Sequence, residues 1–192
     1  MQCELVVIGG SSGGLEAAIE LLRGLPPSYQ LPTLLVLHQR ANRVSGVPAM
    51  LQAHTHLTVV EPDDKQAITP GVLYVAPPNY HLLVEKEKIL SLSSDAPVNY
   101  CRPAIDVTLE TAAIAYGSGV VACVMSGANQ DGAKGSVAVK NKGGQVFVQD
   151  TAEAKVSVMP AATIAATQVD GAMTIVELAG VLAALSSTDD QT

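Results

Sequence analysis

The chain has 192 residues, enough for one domain that buries a core without disulfides or metal. Its net charge of −7 and its lack of a basic cluster argue against binding a phosphate backbone, and an aromatic share of 3% supplies no base-stacking platform, so no nucleic-acid partner is expected. No apolar run has the length of a bilayer span and no basic region with a cleavage site precedes the first strand, so the chain reads as soluble and cytoplasmic, with no membrane insertion.

In chain order, Glu4 to Ile8 is a β-branched apolar run, and from Leu15 the apolar residues Leu15, Ala18, Ile19 and Leu22 recur on one helix face. Between them lies a turn flanked by four glycines, with Ser11 at its apex. Gly24-Leu25-Pro26-Pro27 breaks the helix, and Pro32 to Leu37 is a second strand ending at His38. A short helix is expected within Ala41 to Ala53, then strands at His56 to Val60 and Gly71 to Ala76. His81 to Val84 and Ile89 to Ser93 flank Glu85-Lys86-Glu87-Lys88, which predicts a hairpin with a charged tip.

Beyond Arg102 a helix is expected with Pro103 in its first turn, Ile105, Leu109, Ala112, Ala113 and Tyr116 on one face, and Gly117 as its stop. Val120 to Met125 and Gln145 to Val148 read as strands, and Asp131 to Lys142, Pro160 to Thr167 and Ile175 to Leu185 as helices. Residues 1–185 are expected to form one domain and 186–192 a polar C-terminal tail. Strands that alternate with helices imply an α/β fold. It is doubly wound, with a mostly parallel sheet, helices on both faces and a short antiparallel hairpin excursion.

The first turn tests three phosphate and nucleophile motifs. A P-loop requires Lys where Leu15 stands, and the dinucleotide fingerprint requires Gly where Ser11 stands, so both fail. Gly9-Gly10-Ser11-Ser12-Gly13 fits G-x-S-x-G, which exposes a serine oxygen above the end of a strand. The competing reading is a glycine-rich turn whose serine only caps the helix.

Ligands of such sheets bind at the carboxyl ends of the strands. Ser11 and His38 each end a strand, Asp131 follows one by a few residues, and Asp150 ends another. A serine needs a base, and an imidazole base needs an acceptor that fixes its tautomer. Ser11 and His38 fill the first two roles, while spacing leaves Asp131 and Asp150 both open as the acid. Plainer roles compete here too: His38 as the partner of a loop carbonyl, Asp131 as a helix cap. No His follows His81, so the Ser-Asp-His order of an α/β-hydrolase is excluded. His54 and His56 lack a nearby third ligand and read as an exposed loop pair, His81 belongs to the hairpin, and Cys3, Cys101 and Cys123 read as reduced thiols. No metal or cofactor is expected.

The chain resembles the catalytic domain of the CheB-type chemotaxis protein-glutamate methylesterases. The matching pieces are the turn from Ile8 to Gly14, His38 after its apolar run, Pro70 to Pro77 leading to His81-Leu82-Leu83-Val84, Arg102-Pro103-Ala104-Ile105-Asp106, Ser126 to Ala133, Gln149-Asp150 and Met159-Pro160. They follow the family order over nearly the whole chain. The resemblance implies Ser11 as nucleophile, His38 as base, Asp131 as acid, the Ala128 backbone N–H as an oxyanion donor and Ser12 as a lining residue. It also implies hydrolysis of γ-glutamyl methyl esters on the cytoplasmic helices of methyl-accepting chemoreceptors, often with glutamine deamidation.

Several residues depart from the family pattern. Ala128 stands where Met is usual, Cys101 where His and Ala104 where Ser are frequent, and Val158 replaces the Gly that usually precedes the Met-Pro pair. Family members typically carry an N-terminal receiver domain, whereas this sequence starts at the catalytic strand. Control by a separate phosphorylated receiver protein, or without phosphorylation, is therefore expected. A non-catalytic α/β module that binds a receptor or signalling partner is the rival reading.

Overall fold

The computed structural model describes residues 2–39 and 46–187. Its main element is a seven-stranded parallel sheet made of β1 (Leu5–Gly10), β2 (Thr33–Leu37), β3 (Thr58–Val60), β4 (Val72–Val75), β7 (Val120–Val124), β8 (Gln145–Gln149) and β9 (Gly171–Met173). The spatial order is β3-β4-β2-β1-β7-β8-β9. β5 (His81–Val84) and β6 (Leu90–Ser93) form the separate antiparallel hairpin, in the register His81↔Ser93 to Val84↔Leu90.

Every residue of β1, β2 and β7 is buried, as a parallel sheet covered on both faces requires. The period-2 alternation divides these residues between two cores. Val6, Ile8, Leu35 and Cys123 face a layer built by α1 (Gly14–Gly24) and α6 (Ile175–Ser187). Leu5, Val7, Val36 and Val124 face α3 (Ile105–Tyr116), α4 (Ala133–Asn141), α5 (Val158–Ala166) and the hairpin. α3 has the expected buried face of Ile105, Leu109, Ala112 and Ala113, with Tyr116 half-buried, and it stops at Gly117. On α1 the buried stripe is Ala17, Ala18, Leu21 and Leu22, while Leu15 and Ile19 lie at its margin.

Several boundaries differ from the sequence reading. α2 spans only Val47–Gln52, with Pro48 in its first turn, and residues 41–45 of the expected helix lie outside the described residues. α5 starts at Val158, two residues before Pro160, because the first turn needs no donor from the proline nitrogen. α6 takes in Ser186 and Ser187 of the expected tail; the Ser186 hydroxyl accepts the Gln30 N–H at 3.1 Å. Residues 188–192 lie outside the described residues. β9 was not expected. It is short and half-exposed, and its glycine and alanine give little β-branched signal.

Candidate active site

The strand order reverses between β1 and β7: the chain lays β2, β4 and β3 on one side of β1 and β7, β8 and β9 on the other. Loops diverge at such a switch point and leave a crevice above the strand ends. Gly10 pairs with Leu37, so Ser11 and His38 are the next residues in register on neighbouring strands. The ladder continues beyond the strands, since the His38 N–H donates to the Gly10 carbonyl at 3.2 Å and the Ser11 N–H to the Ser126 carbonyl at 2.9 Å. Gly13, at φ +80, turns the chain from Ser11 into α1; a side chain there would be strained and would press on Ser126. The Ser126 hydroxyl donates to the Ser12 carbonyl at 2.7 Å and braces this turn from the β7 side.

His38 is nearly buried. Its Nε2 lies 2.7 Å from Asp131 Oδ2, and the Asp131 side chain is wholly buried. Asp131 does not cap the helix that follows it. Its carboxylate instead accepts the N–H groups of Ile105 at 2.7 Å and Asp106 at 3.1 Å, which open α3, and the Asn99 amide at 3.2 Å. Asp106 returns the favour to α4: its carboxylate accepts the N–H groups of Gly132 and Gly135 at 2.9 and 2.8 Å. Each carboxylate thus sits on the other's helix N-terminus, where unpaired donors and the helix dipole favour negative charge. Asn99 spans both, donating also to Asp106 at 2.9 Å.

Gly9 permits this arrangement. Any β-carbon on it would lie 2.6 Å from the Ile105 side chain and push the start of α3 away from Asp131.

The two acids respond oppositely to this environment. Burial alone would push the Asp131 carboxyl up, but the bonds from His38, Ile105 and Asp106 outweigh it and hold the group below the usual carboxylate range. Burial, and then the Asp131 charge, push Asp106 up against the bonds from Gly135, Asn99 and Gly132. Asp131 is therefore the ionised partner of His38. The other acid left open by the sequence, Asp150, accepts the Ala152 N–H at 2.9 Å in a turn after β8.

With Nε2 turned to Asp131, the other ring nitrogen of His38 faces Cys101, whose Sγ is 3.4 Å from Nδ1. Burial, then the Asp131 charge, raise the Cys101 thiol above its ordinary value, so it carries its proton near neutrality. That S–H can serve Nδ1 or the Asn99 carbonyl, also 3.4 Å away. Among the described residues no hydrogen bond joins the Ser11 hydroxyl to His38. Ser12 is exposed beside Ser11, and Ala128 is exposed in the loop after β7, where its N–H has no hydrogen-bond partner among the described residues.

Asn99 and Cys101 are held by a tight turn closed by reciprocal Val98 and Cys101 backbone bonds of 3.1 and 2.8 Å. Its central residues, Asn99 and Tyr100, have φ of 50 and 62. Two left-handed residues suit a hairpin turn of the type that Asn-Gly marks, and a non-glycine residue there costs about 1–2 kcal/mol. Asn99-Tyr100 lacks the glycine, so the sequence carries only half of that signal. Asn99 and Asp106 were missed as site residues for this reason and because Asp106 sits inside an ordinary helical face.

The remaining candidates lie elsewhere. His81 is buried in the hairpin, with its Nδ1 accepting the Ala104 N–H at 3.2 Å and Nε2 lying 3.1 Å from the Ala96 carbonyl. His54 is half-buried and accepts from the Arg23 guanidinium, while His56 is exposed. Among the described residues no cluster of three or more His, Cys, Asp or Glu side chains is placed to hold a metal, and no helix is long and apolar enough to cross a membrane.

The family model described as CheB methylesterase matches residues 6–182. The chain belongs to the CheB methylesterase family. A relative from Leptospira interrogans is 38% identical over 179 residues, 93% of this chain and 93% of its own length. A protein-glutamate methylesterase/protein-glutamine glutaminase from a Nocardioides species is 37% identical over 177 residues, which is 91% of this chain but 48% of that protein. The chain thus spans about half of this longer CheB relative. The crystal structure of the Thermotoga maritima CheB methylesterase catalytic domain superposes with a TM-score of 0.90 at 30% identity, covering 96% of this chain and all of that one. The CheB catalytic-domain fold, an α/β parallel sheet with its antiparallel hairpin, is the fold of this chain.

Proposed function

We propose that this CheB-family chain is a protein-glutamate methylesterase that uses Ser11, His38 and Asp131. The observation that carries the reading is the 2.7 Å contact of the buried Asp131 with His38, which stands level with Ser11 in the continued register of β1 and β2, at the sheet's switch point. Asp131 holds Nε2 protonated and leaves Nδ1 to act as the base. Ser11 Oγ attacks the γ-glutamyl carbonyl while its proton passes to Nδ1. The bond to methoxide breaks, Nδ1 returns the proton, and methanol leaves an acyl-Ser11 ester. Water then gives one proton to Nδ1 and attacks the acyl group; that proton goes back to Ser11 Oγ as the carboxylic acid departs and loses its remaining proton to solvent. The exposed Ala128 N–H stabilises the oxyanion, and Ser12 lines the site.

In the resting chain Cys101 occupies the position at Nδ1 that Ser11 needs, so substrate engagement has to bring the serine to the base. Catalytic hydrogen bonds of unliganded sites commonly tighten only with substrate.

The substrates in this reading are methylated glutamates on the cytoplasmic helices of methyl-accepting chemoreceptors, with glutamine deamidation as the related reaction named for its relatives. Residues 1–185 form the catalytic unit, working in the cytoplasm, and a separate phosphorylated receiver protein is the regulatory partner to test. Methanol release from methylated receptor membranes, by the parent and by Ser11→Ala, tests the reading. Release by the parent alone supports it. Hydrolysis of an activated small ester without methanol release keeps the serine site and removes the receptor substrate.

Cys101 at Nδ1 favours one rival, a non-catalytic module that binds a receptor or signalling partner. Absence of turnover on either substrate supports that rival.

A further inference from the structure

The turn that carries Asn99 and Cys101 ends in a side chain that the fold does not use. Of its two left-handed residues, Asn99 gains bonds to Asp106 and Asp131. Tyr100 gains nothing comparable. Its exposure is 102%, against 69% for Val176, the next most exposed large apolar residue among the described residues. A bulky residue is thus kept in a conformation that favours glycine, with its ring wholly in solvent.

Its location gives the ring a use. Tyr100 lies between Asn99, which touches Asp131, and Cys101, which touches His38. It lines two separate depressions. One, of about 230 Å³, is lined by His38, Gln39, Cys101 and Arg102. The other, of about 320 Å³, is lined by Asn129, Gln130, Ala162 and Val158, and Val158 is itself half-exposed. Tyr100 is the one residue that the two linings share, and so forms the ridge between the depression beside His38 and the one beside Val158. A side chain presented to His38 from a larger protein has to bring its own backbone and neighbours across this ridge.

We propose that Tyr100 is a specificity-determining residue that packs against the protein segment bearing the γ-glutamyl methyl ester. The ester enters on the His38 side, and flanking apolar side chains of the same segment lie over Tyr100 toward Val158. An exposed tyrosine supplies large contact area with few torsions to immobilise, which suits it to a protein surface more than to a small ester. The assignment rests on the methylesterase reading above.

Steady-state kinetics on a methylated chemoreceptor cytoplasmic fragment and on p-nitrophenyl acetate test it, with Tyr100→Ala, Tyr100→Phe and Tyr100→Gly in the full chain. The expected result for Tyr100→Ala and Tyr100→Gly is a rise of about tenfold in KM for the receptor fragment, the loss typical of an aromatic contact residue. Their kcat and their small-ester rates stay within about twofold of the parent, because neither Asn99 nor Cys101 is altered. Tyr100→Phe retains the parent KM. Tyr100→Gly also melts higher, since the turn is relieved, and so separates a contact role from a folding role.

An unchanged KM in Tyr100→Ala overturns the proposal. So does a parallel fall in small-ester rate, which would make the residue a support for Asn99 and Cys101 only. If the parent releases no methanol from the fragment while its small-ester hydrolysis depends on Ser11, the receptor substrate itself is wrong and the proposal falls with it.

Discussion

The two sides of His38 are built differently. Toward Asp131 everything is fixed: the acid is buried, its oxygens accept from the ring, two helix N–H groups and Asn99, and its own N–H is held by the Asn129 side chain at 3.1 Å. Toward Ser11 only the backbone is fixed, and the hydroxyl is half-exposed without a bond to the ring. The acid is expensive to desolvate and must be supported before any substrate arrives. The serine is cheap to leave in solvent, so the bond that activates it can wait for the ester. In the proposed reaction the orienting half of the site is a property of the fold, and the nucleophilic half is completed by substrate.

The strongest way to break this contrast is to remove one group from each side. Ser11→Ala is expected to lose methanol release by a thousandfold or more while its unfolding free energy changes by less than about 0.5 kcal/mol, measured by kinetics and urea melts. Asp131→Ala is expected to lose activity on a similar scale and about 3 kcal/mol of stability as well, because the Ile105 and Asp106 donors lose their acceptor. Equal stability of the two variants would erase the contrast.

A pH series sharpens it. The folded Asp131 carboxyl is held below its ordinary value of 3.8, so the folded state binds fewer protons there than the unfolded chain. Its stabilising contribution is therefore present above that ordinary value and is lost as pH falls through the folded value. Melting temperatures of the parent and Asp131→Asn are expected to differ most above that ordinary value and to converge as pH falls through the folded value. A constant gap across the series would show that the charge of Asp131 contributes nothing.

A smaller effect is expected at Asp106, which touches neither His38 nor Ser11. Asp106→Ala leaves the Gly132 and Gly135 N–H groups without their acceptor and should cost about 2 kcal/mol, with activity falling about tenfold as Asp131 loosens. On the open side, Cys101 is half-buried beside His38 while Cys3 and Cys123 are buried. Iodoacetamide is expected to label Cys101 first and to stop esterase turnover by covering Nδ1; mass spectrometry with parallel activity assays checks the order. At the small end, Asp150→Ala should leave turnover within about twofold, since its carboxylate serves only a local turn.

Much of this molecule was legible in local pattern. Apolar runs bounded by breakers placed the hairpin and the sheet strands except β9, and the 3.6-residue period placed the buried face of α3, while on α1 it found Ala18 and Leu22 but not Ala17 and Leu21. Glycine spacing around Ser11 and a polar residue closing β2 marked one edge of the site. The resemblance implied Asp131 where spacing left Asp150 open, and the fold sets the Asp131 carboxylate 2.7 Å from His38.

What local pattern could not reach was every contact made across loops. Asn99 meets Asp131 over 32 residues, Cys101 meets His38 over 63, and Asp106 caps a helix that begins 27 residues later. No periodicity encodes such meetings. The sequence by itself determined an α/β sheet with a serine turn and a histidine at strand ends. Only the tertiary structure decided which acid holds that histidine, which thiol sits at its second nitrogen, and which residue stands exposed at the rim. Those choices depend on how α3 seats over Gly9 and how α3 and α4 exchange carboxylates, and neither is a property of any single segment.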